Sequence, residues 1–209
     1  MYIKAARIPA GTRTVASRVT ASRGQTGAVN TGGGVRSMDD AFIAGYNRGL
    51  GQDFPRVEFD AVFGRLLVEW NDSSHHPLGD VWLKSLAPDL SDNGTAPVAK
   101  VNDDDDFALH FLPALSVRSD GAICSSWYDR RIGGASSTVT DYFAECRPDA
   151  STNAADVRIT TGSSDWAADS SLIVPNFGDY TDNASTGLRT YYTWSDGRLG
   201  VAQPFVDRT

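Results

Sequence analysis

The chain has 209 residues, of which 41% are hydrophobic and 22% charged, and its formal net charge is −7. This is room for one large or two small domains with a substantial core, and it excludes a disordered acidic chain. The negative balance repels phosphate backbones and argues against nucleic acid as a partner, and no run of about 18 apolar residues offers a membrane span.

The opening stretch, MYIKAARIPAGTRTV, lacks the apolar core of a signal peptide. YIKAARI and TVASRVTAS predict two strands, and the glycine-rich RGQTGAVNTGGGVRS predicts a flexible connection. SMDDAFIAGYNRGL is the one stretch open to a helical reading, and equally to a long loop. A unit then begins that recurs. FPRVEFDAVFGRLLVEWNDSS, LPALSVRSDGAICSSWYDRR and FGDYTDNASTGLRTYYTWSDGR each hold a strand, a turn with glycine, and an apolar strand ending in Trp-x-Asp. The tryptophans are Trp70, Trp127 and Trp194. A third strand follows each one (GDVWLKSL, VTDYFAEC, VAQPFVDR), and a fourth follows the first two (APVAKVND, ADVRITT). Side chains alternate with period two, as at Leu66, Val68 and Trp70. The expected fold is all-β: four-stranded antiparallel units, thirteen strands in all, repeated as in the blades of a β-propeller. The divisions fall at 1–53 (a partial blade and the glycine-rich connection), 54–105, 106–162, and 163–209 (an incomplete blade).

In the second unit, AICSSWYD and VTDYFAEC read as a hairpin. Placing Asp129 opposite Asp141 sets Trp127 opposite Phe143 and Cys124 opposite Cys146. Opposed cysteines suit a disulfide and an oxidising compartment, while two buried thiols remain the alternative.

FLPALSVRSDGAICSSWYDRR, VTDYFAEC, NFGDY and YYTWSDGR resemble the sialidase-like propellers with Asp-box repeats, over roughly residues 54–209. The spacing is wider than the strict Ser-x-Asp-x-Gly-x-x-Trp box, and Arg7, Ile8 and Pro9 resemble the arginine motif near the start of true sialidases. The resemblance implies a secreted or cell-surface protein that binds glycans or hydrolyses terminal sialic acid-type sugars. The alternative is a non-catalytic propeller that holds a carbohydrate or a protein. A sialidase needs an arginine cluster, a tyrosine nucleophile with a glutamate, and an acid/base aspartate. The only glutamates are Glu58, Glu69 and Glu145, and none stands in a recognisable activating context. About three and a half blades are encoded where propellers have four to eight, so a further chain or segment is expected to complete the ring.

Candidate ligand-binding residues are Arg7, Asp129, Arg131, Asp179, Tyr180, Asp196 and Arg198. Because Trp-x-Asp-x-Arg recurs, its preferred reading is a strand-end device: the aspartate accepts loop N–H groups and the arginine pairs with it. The first unit has Ser74 in place of arginine, then His75 and His76, read as solvated loop histidines. Asp103, Asp104, Asp105 and Asp106 form an acidic run without EF-hand spacing. It reads as a solvated connection, with structural calcium as the alternative and no other cofactor expected.

Overall fold

The computed structural model describes residues 3–7, 10–12, 15, 17–22, 43–46, 55–73, 75, 77–91, 97–104, 107–134, 136–168 and 180–209. Among them there is no helix, and none long and apolar enough to cross a membrane. Strands β1 (Ile3–Arg7) and β2 (Ser17–Ser22) pair with each other. The first large sheet comprises β3 (Arg56–Asp60), β4 (Arg65–Asp72), β5 (Asp80–Leu86) and β6 (Val98–Lys100), in that order. The second comprises β7 (His110–Val117), β8 (Ile123–Asp129), β9 (Val139–Arg147) and β10 (Val157–Arg158). The two-residue β11 (Ser164–Asp165) also pairs with β9. The third comprises β12 (Asp182–Thr186), β13 (Arg189–Asp196) and β14 (Gln203–Arg208). All pairings are antiparallel and, apart from β11 on β9, join chain neighbours, as tight turns dictate. The thirteen strands expected from sequence are all present, and β11 is an addition too short to carry a periodic signal. Of the stretch read as helix or loop, residues 43–46 form a turn.

Alternation along the strands gives the first two large sheets apolar side chains on both faces and the third on one. Leu67, Val81 and Leu83 of the first sheet pack on Ile123, Trp127 and Phe143 of the second. Tyr128, Tyr142 and Ala144, on the opposite face of the second sheet, pack on Tyr192 and Trp194 of the third. Trp70, with Val68 and Trp82, faces away from the second sheet. Each repeat tryptophan thus points in the same sense along the stack. Burying such a ring removes about 150–250 Å² from water, worth about 4–6 kcal/mol.

The first strands of the three sheets come together, with β7 against β3 on one side and β12 on the other. A bulge in β7 between Phe111 and Ala114 makes this junction, with Leu112 at φ 52°. A bulge takes carbonyls out of the ladder, and here the neighbouring sheets satisfy them. Arg56 Nε donates to Pro113 O at 2.8 Å and its Nη2 to Thr181 O at 3.0 Å. Thr181 Oγ1 donates to Leu112 O at 2.7 Å. On the far side, the 43–46 turn enters the core through Ile43 and Tyr46. Gly45 is required there: at φ +81° it lies so close to Trp166 that a Cβ would sit 2.2 Å from the Trp166 carbonyl oxygen.

Cys124 stands opposite Cys146 in the β8–β9 ladder, and the two are joined in a disulfide. It crosslinks residues 22 apart. Reduction, or replacement of both cysteines by alanine, is expected to lower stability by about 3 kcal/mol, read as a shift of the urea midpoint. An unchanged midpoint would mean that the hairpin register alone holds β8 to β9.

Candidate functional site

The end of the second strand in each repeat carries the same latch. The indole Nε1 of Trp70 donates to Asp72 Oδ2 at 2.6 Å, Trp127 to Asp129 at 2.9 Å, and Trp194 to Asp196 at 3.0 Å. In the second and third sheets the aspartate also accepts the backbone N–H two residues on, at 2.8 Å from Arg131 and 2.9 Å from Arg198. The same arginines return Nε to that carboxylate, each at 2.8 Å. Each guanidinium then lies over the aromatic ring opposite the tryptophan: Arg131 over Phe143 at 4.6 Å and Arg198 over Phe205 at 4.8 Å. One residue pattern thus caps the strand, fixes the turn and covers the core edge.

In SSWYDRRIGG the two arginines part ways. Arg130 is buried against Phe111 and Trp166, donating Nη2 to Ala44 O at 2.7 Å and Nε to Thr140 Oγ1 at 2.9 Å. Burial lowers its pKa to about 10. Arg131 turns outward into a cluster of acids that the third sheet does not reproduce. Its Nη1 meets Asp103 Oδ1 at 2.9 Å, and its Nη2 meets Asp156 Oδ2 at 2.6 Å, Asp129 Oδ2 at 2.7 Å and Asp104 Oδ1 at 3.1 Å. Desolvation opposes the charge on Arg131, but these carboxylates outweigh it and raise its pKa.

The buried His110, at the start of β7, completes the cluster. Its Nδ1 lies 2.8 Å from Gly79 O, and its Nε2 lies 3.1 Å from Asp104 Oδ1 and 3.4 Å from Asp129 Oδ2. Burial alone would lower the imidazole pKa; Asp129 and Asp104 hold it up at about 10. Two carboxylates at Nε2 and a carbonyl at Nδ1 call for donors on both nitrogens, the imidazolium form. Asn102 ties in the first sheet, donating to Asp80 Oδ1 at 2.8 Å and Asp104 Oδ1 at 2.9 Å. Asp103 and Asp156 clasp reciprocally, each backbone N–H donating to the other carboxylate, at 2.9 and 3.1 Å. Burial raises Asp156 to about 7.

The structure therefore brings Asp129, Arg131, Asp103 and Asp104 together, and leaves Asp196 and Arg198 in a separate latch. That second latch is held by Ser164 Oγ on Asp196 at 2.6 Å and by Arg198 Nη1 on Thr161 Oγ1 at 2.8 Å. Tyr180 is 78% exposed. Asp105, Asp106, Ser74, His76 and Asp179 lie outside the described residues, as does the side chain of Arg7 on β1. His75 is largely exposed and sits 3.0 Å from Asp80. Asp156 escaped sequence reasoning, and His110 stood out only as one of three histidines, without a role. His110 looks like an ordinary alternating strand residue, and Asp156 sits in the unremarkable NAADVR.

Glu58 on β3 is half-buried and Arg208 and Arg189 lower the Tyr191 hydroxyl, while other groups of the same types are held in the core. Glu69 is buried and accepts Ser125 Oγ, and Glu145 is buried on Arg147. Tyr128 and Tyr142 are buried, and desolvation raises both hydroxyls, the reverse of an activated nucleophile. A cavity of about 320 Å³ opens beside Arg118, Glu145, Cys146 and Tyr192. Burial raises the Tyr192 hydroxyl as well. Compared with known proteins, the chain matches no family model and none of the curated sequences searched.

Proposed function

We propose that the chain is part of a sialidase-like β-propeller that serves as a non-catalytic, carbohydrate-binding scaffold. The observation that carries this reading is the latch repeated at the same position of successive sheets, with its tryptophans facing one way along the stack and the first strands gathered at one side. Those are the features expected of blades around an axis. On this reading Asp129, Arg131, Asp196 and Arg198 hold the blades, which leaves the tips and the axis side for ligand. The outward face of the third sheet, with Ala184, Thr193 and Val206 exposed, is where a further blade, from a second copy or another segment, would continue the stack.

Incubation with a fluorogenic sialoside is expected to give no turnover above buffer, while the labelled protein binds immobilised glycans. Turnover proportional to protein concentration would replace the scaffold with a hydrolase, and absence of glycan binding would remove the carbohydrate. Light scattering is expected to give a multiple of 22.4 kDa; a stable monomer would count against completion by a second copy.

A further inference from the structure

The cluster around Arg131 is rich in carboxylates. Five carboxylates, Asp80, Asp103, Asp104, Asp129 and Asp156, face Arg131, His110 and Lys100, whose Nζ lies 2.5 Å from Asp104 O. The hydrogen bonding is incomplete in a specific way. Arg131 engages Oδ1 of Asp104 and Oδ2 of Asp156. The other oxygen of each, Asp104 Oδ2 and Asp156 Oδ1, is buried and has no hydrogen-bond partner among the described residues. These side chains are only 9% and 2% exposed. A buried carboxylate oxygen without a donor is destabilising unless something positive meets it.

We propose that Asp103, Asp104 and Asp156 form a binding site for a hard divalent cation of the calcium type. Each offers a carboxylate oxygen, and the three oxygens lie within 4.8 Å of one another. Asp104 and Asp156 act as bridging carboxylates, one oxygen on the guanidinium and the other on the ion. Asp103, with a side chain 43% exposed, lies on the solvent side. A neighbouring cavity of about 280 Å³, lined by Asn102, Asp103, Asn153 and Ala154 among others, supplies room for water ligands. Oxygen donors in an irregular arrangement suit Ca²⁺, which takes six to eight at about 2.3–2.6 Å, better than Mg²⁺ with its strict octahedron. The nearby set of Asp104, His110 and Asp129 is a weaker candidate, because the imidazole already stands between those two carboxylates as a cation. Asp103 and Asp104 follow β6 of the first sheet and Asp156 precedes β10 of the second. The ion would therefore lock two sheets together, whatever ligand the protein carries.

The test uses the full chain stripped with chelator. Calorimetric titration with CaCl₂ is expected to show one site, with a Kd of about 10⁻³ M or tighter, and about 10 mM CaCl₂ is expected to raise Tm by several degrees over NaCl of equal ionic strength. MgCl₂ should do much less. Asp156→Asn and Asp103→Asn are each expected to weaken calcium binding at least about tenfold. If Asp156→Asn fails to fold, the more exposed Asp103→Asn carries the comparison. Absence of heat and of a Tm shift in the wild type overturns the proposal, as does a calcium response that survives in the folded variants.

Discussion

Asp129→Ala is expected to lower the unfolding free energy by about 3–5 kcal/mol, because it strips a buried charge network of its central acceptor. Asp129 receives the Trp127 indole, the Arg131 backbone and the Arg131 side chain, and faces His110. Its removal leaves the buried His110 with one fewer counter-charge and the Trp127 N–H without its acceptor. For a chain of this size the fall in Tm should be about 10 °C or more, measured by far-ultraviolet circular dichroism. Asp196→Ala is the matched control. It breaks the same latch, but no histidine is buried on it, and about 1–2 kcal/mol is expected. Asp129→Asn, which keeps an acceptor for the indole, should fall between the two. Equal losses at Asp129 and Asp196 would mean that the His110 side of the cluster contributes nothing beyond the latch.

Glu69→Gln is expected to stabilise the protein at alkaline pH, a rare direction for a core substitution. The carboxyl is buried between the first two sheets, and desolvation raises its pKa from 4.5 to about 8. The Ser125 hydroxyl and Arg147 work against that shift, and Glu145 adds to it. The raised folded pKa means that the folded state binds more proton than the unfolded one between those values. Its contribution is therefore fully present below about pH 4.5 and lost as pH rises through about 8. The slope at mid-window is about 1.4 kcal/mol per pH unit. Glutamine keeps a carbonyl to accept Ser125 Oγ and has no charge to desolvate. The variant should match wild type near pH 4.5 and exceed it by a few kcal/mol above pH 8. Parallel stability–pH curves for the two proteins would place the titration elsewhere.

The strands were legible because each is a short, alternating run ended by glycine, proline or aspartate. The β8–β9 register was legible because Asp129 and Asp141, Trp127 and Phe143, and Cys124 and Cys146 satisfy one pairing at once. The latch was legible as structure because it recurs. The acidic cluster was not. Its members come from the connection after β6, the start of β7, the end of β8 and the approach to β10, and only sheet-on-sheet packing makes them neighbours. The DDDD run drew attention to Asp103 and Asp104, but nothing local joined them to Asp156, 53 residues from Asp103. The docking of 43–46 was equally hidden, since it depends on a glycine passing the Trp166 backbone.

The unequal ends of the sheets bear on solubility. The second sheet finishes in the two-residue β10, too short to template another strand. The third finishes in the six-residue, mostly exposed β14, whose outer edge is unpaired among the described strands. Such an edge invites intermolecular β-addition and, beyond it, fibrillar aggregation. β14 carries its own deterrents: Pro204, which offers no N–H, and the adjacent charges Asp207 and Arg208. Exchanging those three for β-formers would leave the fold's interior untouched and turn its last strand into a seed.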